Sequence, residues 1–333
     1  MGKIIGLTYD LKTDYIFKEA DPPDANAEFD HPSTIEVISN ALESLGYKVV
    51  RIGNVDSLLK NLDEIKKVDI IFNLSEGLTG RNRESQVPII LEMMGTPFVG
   101  SDGLTLGLTL DKLMTKKIFS SEGIPTPKFF EVKDTESLEN LDHLCFPLIV
   151  KPRYEGSSKG LSLKSKVADI TELKERVDYI INNYHQPALI EEFIRGTEFT
   201  VAIIGNDSDS LQVLPIVQIE IEGSLNLGEK FYTFGHIHSD SLRYICPAKI
   251  SKKLKEKIED LVLRTYRVVE CRDFGRIDIR CDYNENPYVL EINPLPSLST
   301  EDVFSVIANC LNISYAEILD RILKSAFSRY GLN

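Results

Sequence analysis

The sequence predicts an α/β protein in which a doubly wound N-terminal domain precedes a C-terminal part of mixed α+β character. The first hundred residues alternate strand-like and helical segments with short connections, a rhythm that favours a parallel sheet covered by helices. After them, hairpin-like strands flanked by helices lead into a strand-rich remainder. These patterns predict three units: residues 1–101, 102–190 and 191–333.

The first unit is predicted from the strand-like segments "KIIGLTY", "KVVRIG" and "VDIIFNL", the helical segment "HPSTIEVISNALESLGY" and the closing segment "SQVPIILEMMGTPFVG". In the helical segment, apolar residues recur at intervals of three and four. Ser33 or Thr34 is expected to cap the N-terminus of this helix, and Gly46 to end it.

The second unit is expected to begin with one helix over "LTLDKLMTKKIFSSEG", ended by Gly123 and Pro125. Two strands, "FPLIVKP" and "GLSLKSKV", follow as a hairpin, and the helix "DITELKERVDYIINNY" leads to the strand "PALIEEFI". The third unit is expected to hold the strands "TEFTVAIIG", "LQVLPIVQIEIE", "FGRIDIRCDY" and "PYVLEIN", with one helix in "SKKLKEKIEDLVLRTYRVVE" and a last helix in "SYAEILDRILKSAF".

Charge and composition restrict the partners. The 333 residues carry a formal net charge of -13, and their 42% hydrophobic and 27% charged content is close to the average of soluble globular proteins. An acidic chain lacks the basic footprint that a nucleic acid or an anionic membrane requires. The N-terminus lacks a signal-peptide pattern, and no apolar run approaches the ~18 residues that span a bilayer. We therefore expect a cytoplasmic protein with small-molecule ligands.

Two strand-like segments near the C-terminus carry charged residues in alternation. In "FGRIDIRC", Arg276 and Asp278 share one face of the strand. In "YVLEINP", Glu291 and Asn293 share a face, and Leu290 is expected on the opposite one. If the strands pair, the oxygen donors converge beside Arg276 and suit a hard cation such as Mg²⁺. A surface hairpin with a salt bridge explains the same spacing equally well.

The loop "KPRYEGSSKG" directly follows an apolar strand. Lys151 sits at the strand end, where its ammonium can reach a nucleotide. The glycines and serines from Gly156 to Gly160 let backbone N–H groups approach phosphate oxygens. Taken alone, this loop fits an ordinary hairpin better, because Gly and Ser are common turn residues.

A third segment, "ALIEEFIRGTEFTV", places glutamates at the end of one strand and the start of the next. A strand end followed by a bend can offer backbone groups to an adenine edge. A carboxylate beside it can accept hydrogen bonds from ribose hydroxyls. Solvated glutamates at a domain hinge would give the same pattern.

In this order, the segments "TLDK", "IVKPRYEGSSKG", "LIEEFIRGTEFTVAI", "CPA", "FGRIDIR" and "LEINPLPSL" resemble the ATP-grasp superfamily, and within it the D-alanine:D-alanine ligases. The resemblance covers the chain from about Val68 to the end. It implies an ATP-grasp fold with an N-terminal pre-ATP-grasp domain and with ATP held between two small mixed domains. It also implies activation of a carboxylate as an acylphosphate, which an amine or another nucleophile attacks.

The resemblance also assigns roles to particular residues. It implies that Arg276 stabilises the phosphoryl group and that Mg²⁺, or Mn²⁺ in its place, is bound by Asp278, Glu291 and Asn293. It implies that the nucleotide is bound by Lys112, Lys151, Glu191, Glu192, Ile194 and Glu198, under a phosphate lid of Glu155, Gly156, Ser157, Ser158 and Gly160. The lid is expected to be poorly ordered without nucleotide and to close when ATP and Mg²⁺ bind.

The chain departs from the resembling ligases in its N-terminal region. Those ligases use the glutamate of a "GGxSxExxVS" motif, whereas this chain continues as "GLTYDLKTDY" after its first strand. Glu28, Asp30 and His31 are the nearest candidates to replace that glutamate. The change alters a position that orients the first amino acid in the resembling ligases.

Further departures affect groups near the reacting centre. Glu76 stands where those ligases have a histidine, and His236 with Ile237 stands where a loop lysine and tyrosine belong. Lys230 or His236 is expected to supply the missing cation. Ser297 stands near the glycine of the oxyanion site and can donate its backbone N–H. The catalytic candidates are therefore Arg276, Ser157, Glu76 and Ser297, and the additional cofactor-binding candidates are Lys230 and His236.

The sequence thus predicts an ATP-dependent carboxylate–amine ligase that forms a peptide or amide bond and releases ADP and phosphate. The altered substrate motifs favour an amino-acid substrate other than D-alanine. Two alternatives stay open: a carboxylate ligase that uses a thiol or another non-amine nucleophile, and a non-catalytic ATP-binding module. Because the resembling ligases often pair through their N-terminal domains, a homodimer is one expected assembly.

Overall fold

A parallel sheet forms the N-terminal part of the molecule. The structure is a computed structural model that describes residues 2–135, 138, 145–207, 210–236 and 239–332. The strand order of the first sheet is β2-β1-β3-β4. Its strands are β1 (Ile4–Tyr9), β2 (Lys48–Gly53), β3 (Ile70–Leu74) and β4 (Phe98–Val99), and the accompanying helices are α1 (Pro32–Ser44), α2 (Val55–Lys60), α3 (Leu62–Ile65) and α4 (Gln86–Met94).

Apolar side chains cover both faces of this sheet. Leu7 and Phe72 belong to the same buried cluster as residues of α1, whereas Ile71 belongs to a second cluster with Leu91 of α4. Successive residues of a strand point to opposite faces, so β3 contributes to both clusters. The predicted doubly wound, parallel arrangement is confirmed.

The start of α1 differs from the sequence-based prediction. Neither Ser33 nor Thr34 is the cap, because the helix begins at Pro32 and the side chain of His31 accepts from the backbone N–H of Ser33. Proline fits the first helical position, where its missing N–H is not needed. Gly46 follows the last turn with a φ of 89°, as a helix-ending glycine does.

The single helix predicted after residue 102 is two helices, α5 (Gly103–Leu110) and α6 (Lys112–Ser121). The break falls at Asp111, whose carboxylate accepts from the backbone N–H of Met114 at 3.1 Å. The same carboxylate accepts from Nε of Arg153 at 2.7 Å. Asp111 therefore caps α6 and ties it to the central sheet, which an uninterrupted helix could not do.

The central sheet is antiparallel in the order β5-β8-β6-β7, and α7 packs against it. The predicted strand "GLSLKSKV" is wrong in length, because only its last two residues form β7. Ser162 and Ser165 form a reciprocal capping box around a short 3-10 turn, so the residues before β7 are not extended. The elements are β5 (Phe129–Val132), β6 (Leu148–Pro152), β7 (Lys166–Val167), α7 (Ile170–Tyr184) and β8 (Ala188–Glu192).

The last sheet is also antiparallel, in the order β12-β11-β9-β13-β14, with β10 beside β9. The segment predicted as one strand, "LQVLPIVQIEIE", is interrupted at Pro215, which has no N–H to donate to a neighbouring strand. Its strands are β9 (Thr197–Ile204), β10 (Gln212–Val213), β11 (Val217–Ile221), β12 (Leu242–Ile245), β13 (Phe274–Cys281) and β14 (Pro287–Asn293).

Three helices complete the C-terminal part: α8 (Lys252–Val268), α9 (Val303–Leu311) and α10 (Tyr315–Tyr330). Sequence reasoning missed α9. One buried cluster joins β1 and β3 of the first sheet, β9 and β13 of the last sheet, and both C-terminal helices. The first and last sheets therefore share a core. Among the described residues, none of the helices is long and apolar enough to cross a membrane.

Candidate active site

A cavity of about 820 Å³ is lined by residues from the first, central and last sheets. Lys151 of β6 and Glu191 of β8 line it, together with Arg276 of β13 and Glu291 of β14. The end of β3 contributes Glu76, which follows the strand by two residues. The cavity therefore gathers residues that are far apart in the sequence.

Pairing of β13 with β14 brings the predicted oxygen donors together. Asp278 lies opposite Glu291, and Arg276 lies opposite Asn293. Asp278 accepts from Nη2 of Arg276 at 3.1 Å and from Nδ2 of Asn293 at 3.1 Å. Thr200 of β9 donates its hydroxyl to the same carboxylate at 2.6 Å. The structure thus unites the four residues that the alternating pattern singled out.

A bulge in this strand pair changes one expectation. The register shifts between Asp278 and Ile279, so Leu290 is the extra residue on β14. Leu290 lines the cavity, whereas the prediction placed it on the opposite face from Glu291. An extra residue breaks the alternation of side chains and re-aims those beside it. Ile292, beyond the bulge, also borders the cavity but is buried in the core.

The carboxylates of Glu291 and Asp278 have different charged neighbours. Nζ of Lys112 lies 2.8 Å from Glu291. Burial acts to raise the pKa of Glu291, but Lys112 and Lys151 outweigh it and lower that pKa to about 2. For Asp278, burial raises the pKa, and Arg276 offsets only part of the effect. Two carboxylates and one amide oxygen at a polar cavity fit the donor set of a hard divalent cation.

Glu191 binds two lysines beneath the cavity. It is buried, and its Oε1 lies 2.8 Å from Nζ of Lys151 and 3.2 Å from Nζ of Lys116. Sequence reasoning missed Lys116, whose burial lowers its pKa to about 8. Sequence alone offers no signal for Lys116, because its neighbour Lys117 has the same character. The ion pairs hold the Lys151 ammonium at the cavity wall.

The other predicted nucleotide-binding residues also line the cavity. Nη1 of Arg280 donates to Glu198 at 2.7 Å, and its Nε donates to the backbone oxygen of Ile194. Glu192 forms a more exposed ion pair with Lys128 at 3.3 Å. Arg280 therefore connects the strand end of β8 to β9, a link that the sequence did not reveal.

The glycine- and serine-rich loop has a constrained backbone. Ser157 and Ser158 have φ values of 45° and 56°, in the left-handed region that non-glycine residues seldom adopt. Gly160 has a φ of 72°, and a Cβ there would lie 2.5 Å from Cγ of Pro152. Glu155, Gly156, Ser157 and Ser158 line the cavity. The loop is a compact turn within the connection between β6 and β7, which pair in antiparallel fashion as the predicted hairpin requires.

Glu28 contacts this loop across a long sequence separation. Its Oε1 accepts from the backbone N–H of Gly156 at 2.6 Å and from Nη2 of Arg83 at 2.6 Å. Nζ of Lys159 lies 3.3 Å from Glu28 and 2.5 Å from Glu155. Burial acts to raise the pKa of Glu28, but Arg83 and Lys159 together lower it. Two carboxylates and two cations thus hold the loop to the N-terminal region.

The remaining candidates divide into two groups. Glu76 and Ser297 line the cavity, and Oγ of Ser297 accepts from the backbone N–H of Ser299 at 3.2 Å. Lys230 and His236 are outside the set of described residues that line it. Lys230 forms an ion pair with Glu222 at 2.5 Å, and His236 accepts from the backbone N–H of Thr233 at 3.1 Å. Ile237 lies outside the described residues.

Residues 118–324 match the family model described as D-ala D-ala ligase C-terminus. The chain belongs to the D-alanine–D-alanine ligase family. It is 30% identical over 308 residues to the D-alanine–D-alanine ligase of Pelotomaculum thermopropionicum, over 90% of this chain and 92% of that protein. It is 37% identical over 300 residues to an uncharacterized protein of Sinorhizobium fredii, over 87% of this chain and 86% of that protein.

The fold agrees with that of a solved family member. The crystal structure of the D-alanine–D-alanine ligase from Bacillus anthracis complexed with ATP gives a TM-score of 0.76 at 24% identity, over 98% of both chains. The predicted ATP-grasp architecture is therefore confirmed. Membership in the ligase family identifies an ATP-grasp enzyme that forms C–N bonds. The unit boundaries and the roles of individual residues stay predictions.

Proposed function

We propose that this ATP-grasp ligase joins the carboxylate of an amino acid other than D-alanine to an amine. ATP supplies the phosphoryl group that activates the carboxylate as an acylphosphate, and ADP and phosphate are released. The observation that carries the proposal is the convergence of Arg276, Asp278, Glu291 and Asn293 at the cavity. An arginine beside metal-binding carboxylates is suited to transferring phosphoryl groups, where negative charge must be balanced.

The residues of the cavity have separate parts in this proposal. Lys112 and Lys151 attract the phosphates, and Arg276 stabilises the charge that develops on the transferring group. Asp278, Glu291 and Asn293 are the residues that would hold Mg²⁺, with Mn²⁺ as an alternative. The convergence of two carboxylates with the side-chain amide of Asn293 supports this assignment.

The loop residues and the strand ends bind the nucleotide in this proposal. Backbone N–H groups of Ser157 and Ser158 face the phosphates, whereas that of Gly156 donates to Glu28, and the small side chains leave room for the approach. Ile194, Glu192 and Glu198 lie at the adenosine end. Their position on the cavity wall supports the assignment.

A different amino-acid substrate is supported by the wall that includes Glu76. A carboxylate at the position of the family's histidine reverses the charge presented to the first substrate. Ser297 also lines the cavity, where its backbone N–H can donate to a developing oxyanion. We propose a homodimer as the assembly, which sedimentation of the purified protein tests.

ADP release with a broad panel of amino acids of both configurations tests the function. We expect Mg²⁺-dependent ADP release with at least one amino acid, and a product mass equal to the two substrates less one water. Failure of every carboxylate and amine pair to release ADP would contradict the proposal. Release of ADP with a thiol as the second substrate, and not with amines, would contradict the amine assignment.

Arg276→Ala tests the proposed centre. Losing a group that stabilises transition-state charge lowers kcat by about a hundredfold or more, with a smaller change in the KM for ATP. Arg195→Ala is the matched control, because Arg195 is an exposed arginine that pairs with Glu229 away from the cavity. A kcat for Arg276→Ala within twofold of the control would rule out the assigned role.

A further inference from the structure

One wall of the cavity is unusually acidic. Glu76, after β3, and Glu84, in the 3-10 turn before α4, both line it. Asp30, from the segment before α1, lines it as well, and Lys12 partly compensates the charge of Asp30. Glu76 and Glu84 together form the acidic wall of the cavity.

The acidic wall forms no ion pair with a cation among the residues that the structure describes. Within the described ranges of the chain, the side chains of Glu76 and Glu84 take part in neither a hydrogen bond nor an ion pair. Glu84 is nevertheless only 8% exposed. A carboxylate that is nine-tenths buried and without an ion pair faces a cavity large enough for a ligand, and its charged form is costly unless a cationic ligand balances it or a proton neutralises it.

The nearby cations are bound elsewhere. Arg83 adjoins Glu84 in the sequence, but its guanidinium donates to Glu28 and to the backbone oxygen of Tyr154. Lys159 pairs with Glu28 and with Glu155, so these two carboxylates balance Arg83 and Lys159. Lys112 is paired with Glu291. None of these three cations therefore forms an ion pair with the acidic wall.

The energetics of the wall agree with its geometry. Burial, and next the neighbouring charge of Glu84, raise the pKa of Glu76 well above its ordinary value. Burial raises the pKa of Glu84 to about 7, although Arg83 opposes the shift. In each case burial outweighs the cations that act on the carboxylate. A bound cation would stabilise both charged forms.

The chemistry of the acidic wall suits an organic cation, because two carboxylates line the cavity there. A nucleotide phosphate is excluded from this wall because two carboxylates would repel it. An ammonium or guanidinium group needs only one or two carboxylates and matches their geometry.

We propose that Glu76 and Glu84 bind an ammonium or guanidinium group on the side chain of the amino-acid substrate. The substrate is therefore a basic amino acid, and its cation distinguishes it from small neutral amino acids. This inference rests on the proposed ligase function and names the substrate class of the same cavity. The position of the family's histidine, now Glu76, becomes a determinant of specificity.

Matched pairs of amino acids test the inference. Lysine is compared with norleucine, and arginine with citrulline, in both configurations, because each pair has the same α-amino and α-carboxyl groups. We expect kcat/KM, measured by ADP release, to be at least about tenfold higher for the cationic member. Equal kcat/KM values within both pairs would overturn the inference while leaving the ligase function intact.

Two variants test whether the preference for a cationic side chain arises at the acidic wall. Glu84→Gln and Glu76→Gln keep the size of the side chain and remove its charge, so we expect each to lower the cationic-to-neutral ratio about tenfold. Glu92→Gln is the matched control, because Glu92 is an exposed glutamate on α4. Retention of the full wild-type ratio in both variants would show that the acidic wall is not the cation site.

Calorimetric binding separates this inference from the function. If no amino acid supports ADP release, the proposed function fails, and binding of lysine and norleucine to the wild-type protein still tests the wall. Tighter binding of lysine that is lost in Glu84→Gln supports the inference. Equal binding of lysine and norleucine overturns it.

Discussion

Two glutamates on the same cavity differ in their pKa values because, among the described residues, only Glu291 forms an ion pair with a cation. Burial acts on both, yet Lys112 and Lys151 lower the pKa of Glu291 to about 2. In the described part of the chain Glu84 forms no ion pair, and burial raises its pKa to about 7 although Arg83 and Lys112 oppose the shift. At the scale of single residues, the partner and not the residue type decides the charge. Sequence spacing predicted a site at Glu291 and gave no sign of one at Glu84.

The raised pKa of Glu84 predicts a pH-dependent effect on stability. The folded state holds the proton more tightly than the unfolded chain, whose pKa is near 4.5. The stabilisation is therefore fully present below about pH 4.5 and is lost as pH rises through about 7. Glu84→Gln removes this dependence, so the variant should gain up to about 3 kcal/mol relative to wild type between pH 4 and pH 8.

Urea unfolding of both proteins at the two pH values measures this gain. Glu92→Gln serves as the control, because Glu92 is exposed and its substitution should leave the pH dependence of stability unchanged. A constant difference between Glu84→Gln and wild type across this pH range would show that Glu84 titrates normally.

At the scale of elements, contacts with a distant segment fix the conformation of the glycine- and serine-rich loop. Its sequence predicted a mobile lid, and its composition alone resembled a hairpin turn. The structure instead joins it to the segment between β1 and α1, through Glu28, Arg83, Glu155 and Lys159. The contact between Glu28 and Gly156 spans 128 residues, so no local pattern could predict it.

Glu28→Gln should release the loop. The substitution removes one carboxylate from a buried group of four charges and leaves two cations with only Glu155. We expect trypsin to cleave after Lys159 about tenfold faster in the variant, which corresponds to ~1.4 kcal/mol less protection. In the wild-type protein, ATP with Mg²⁺ should slow cleavage at the same bond.

Glu19→Gln is the matched control for this experiment, since Glu19 is an exposed glutamate on the same segment. Its cleavage rate after Lys159 should equal that of wild type. Cleavage that is equally fast in all three proteins, with and without nucleotide, would exclude both the restraint by Glu28 and the lid.

At the scale of the whole molecule, the shared core couples the first and last sheets. Phe304 of α9 is fully buried in it, with its ring 6.0 Å from that of Phe274 on β13. Leu7 of β1 belongs to the same cluster. The ends of the chain therefore stabilise each other, although sequence reasoning treated them as separate units.

Phe304→Ala should lower the free energy of unfolding by about 3–5 kcal/mol, because it leaves a cavity in a closely packed core. Hydrogen exchange should show that amides of β1 and β9 lose protection together. Phe234→Ala is the control, because Phe234 is 36% exposed. Loss of protection confined to the last sheet would contradict a shared core.

The sequence by itself determined the fold class and the ATP-grasp resemblance, and it predicted that Arg276, Asp278 and Glu291 meet if β13 pairs with β14. These features depend on local periodicity and on ordered motifs, both of which are visible in the sequence. Tertiary structure alone decided the break at Asp111, the bulge beside Asp278 and the position of Lys230 away from the cavity. It also decided that "KPRYEGSSKG" is a turn held by Glu28 and that Glu84 forms no ion pair with any residue the structure describes. Each of these depends on contacts between residues distant in the sequence, and local sequence patterns do not predict such contacts.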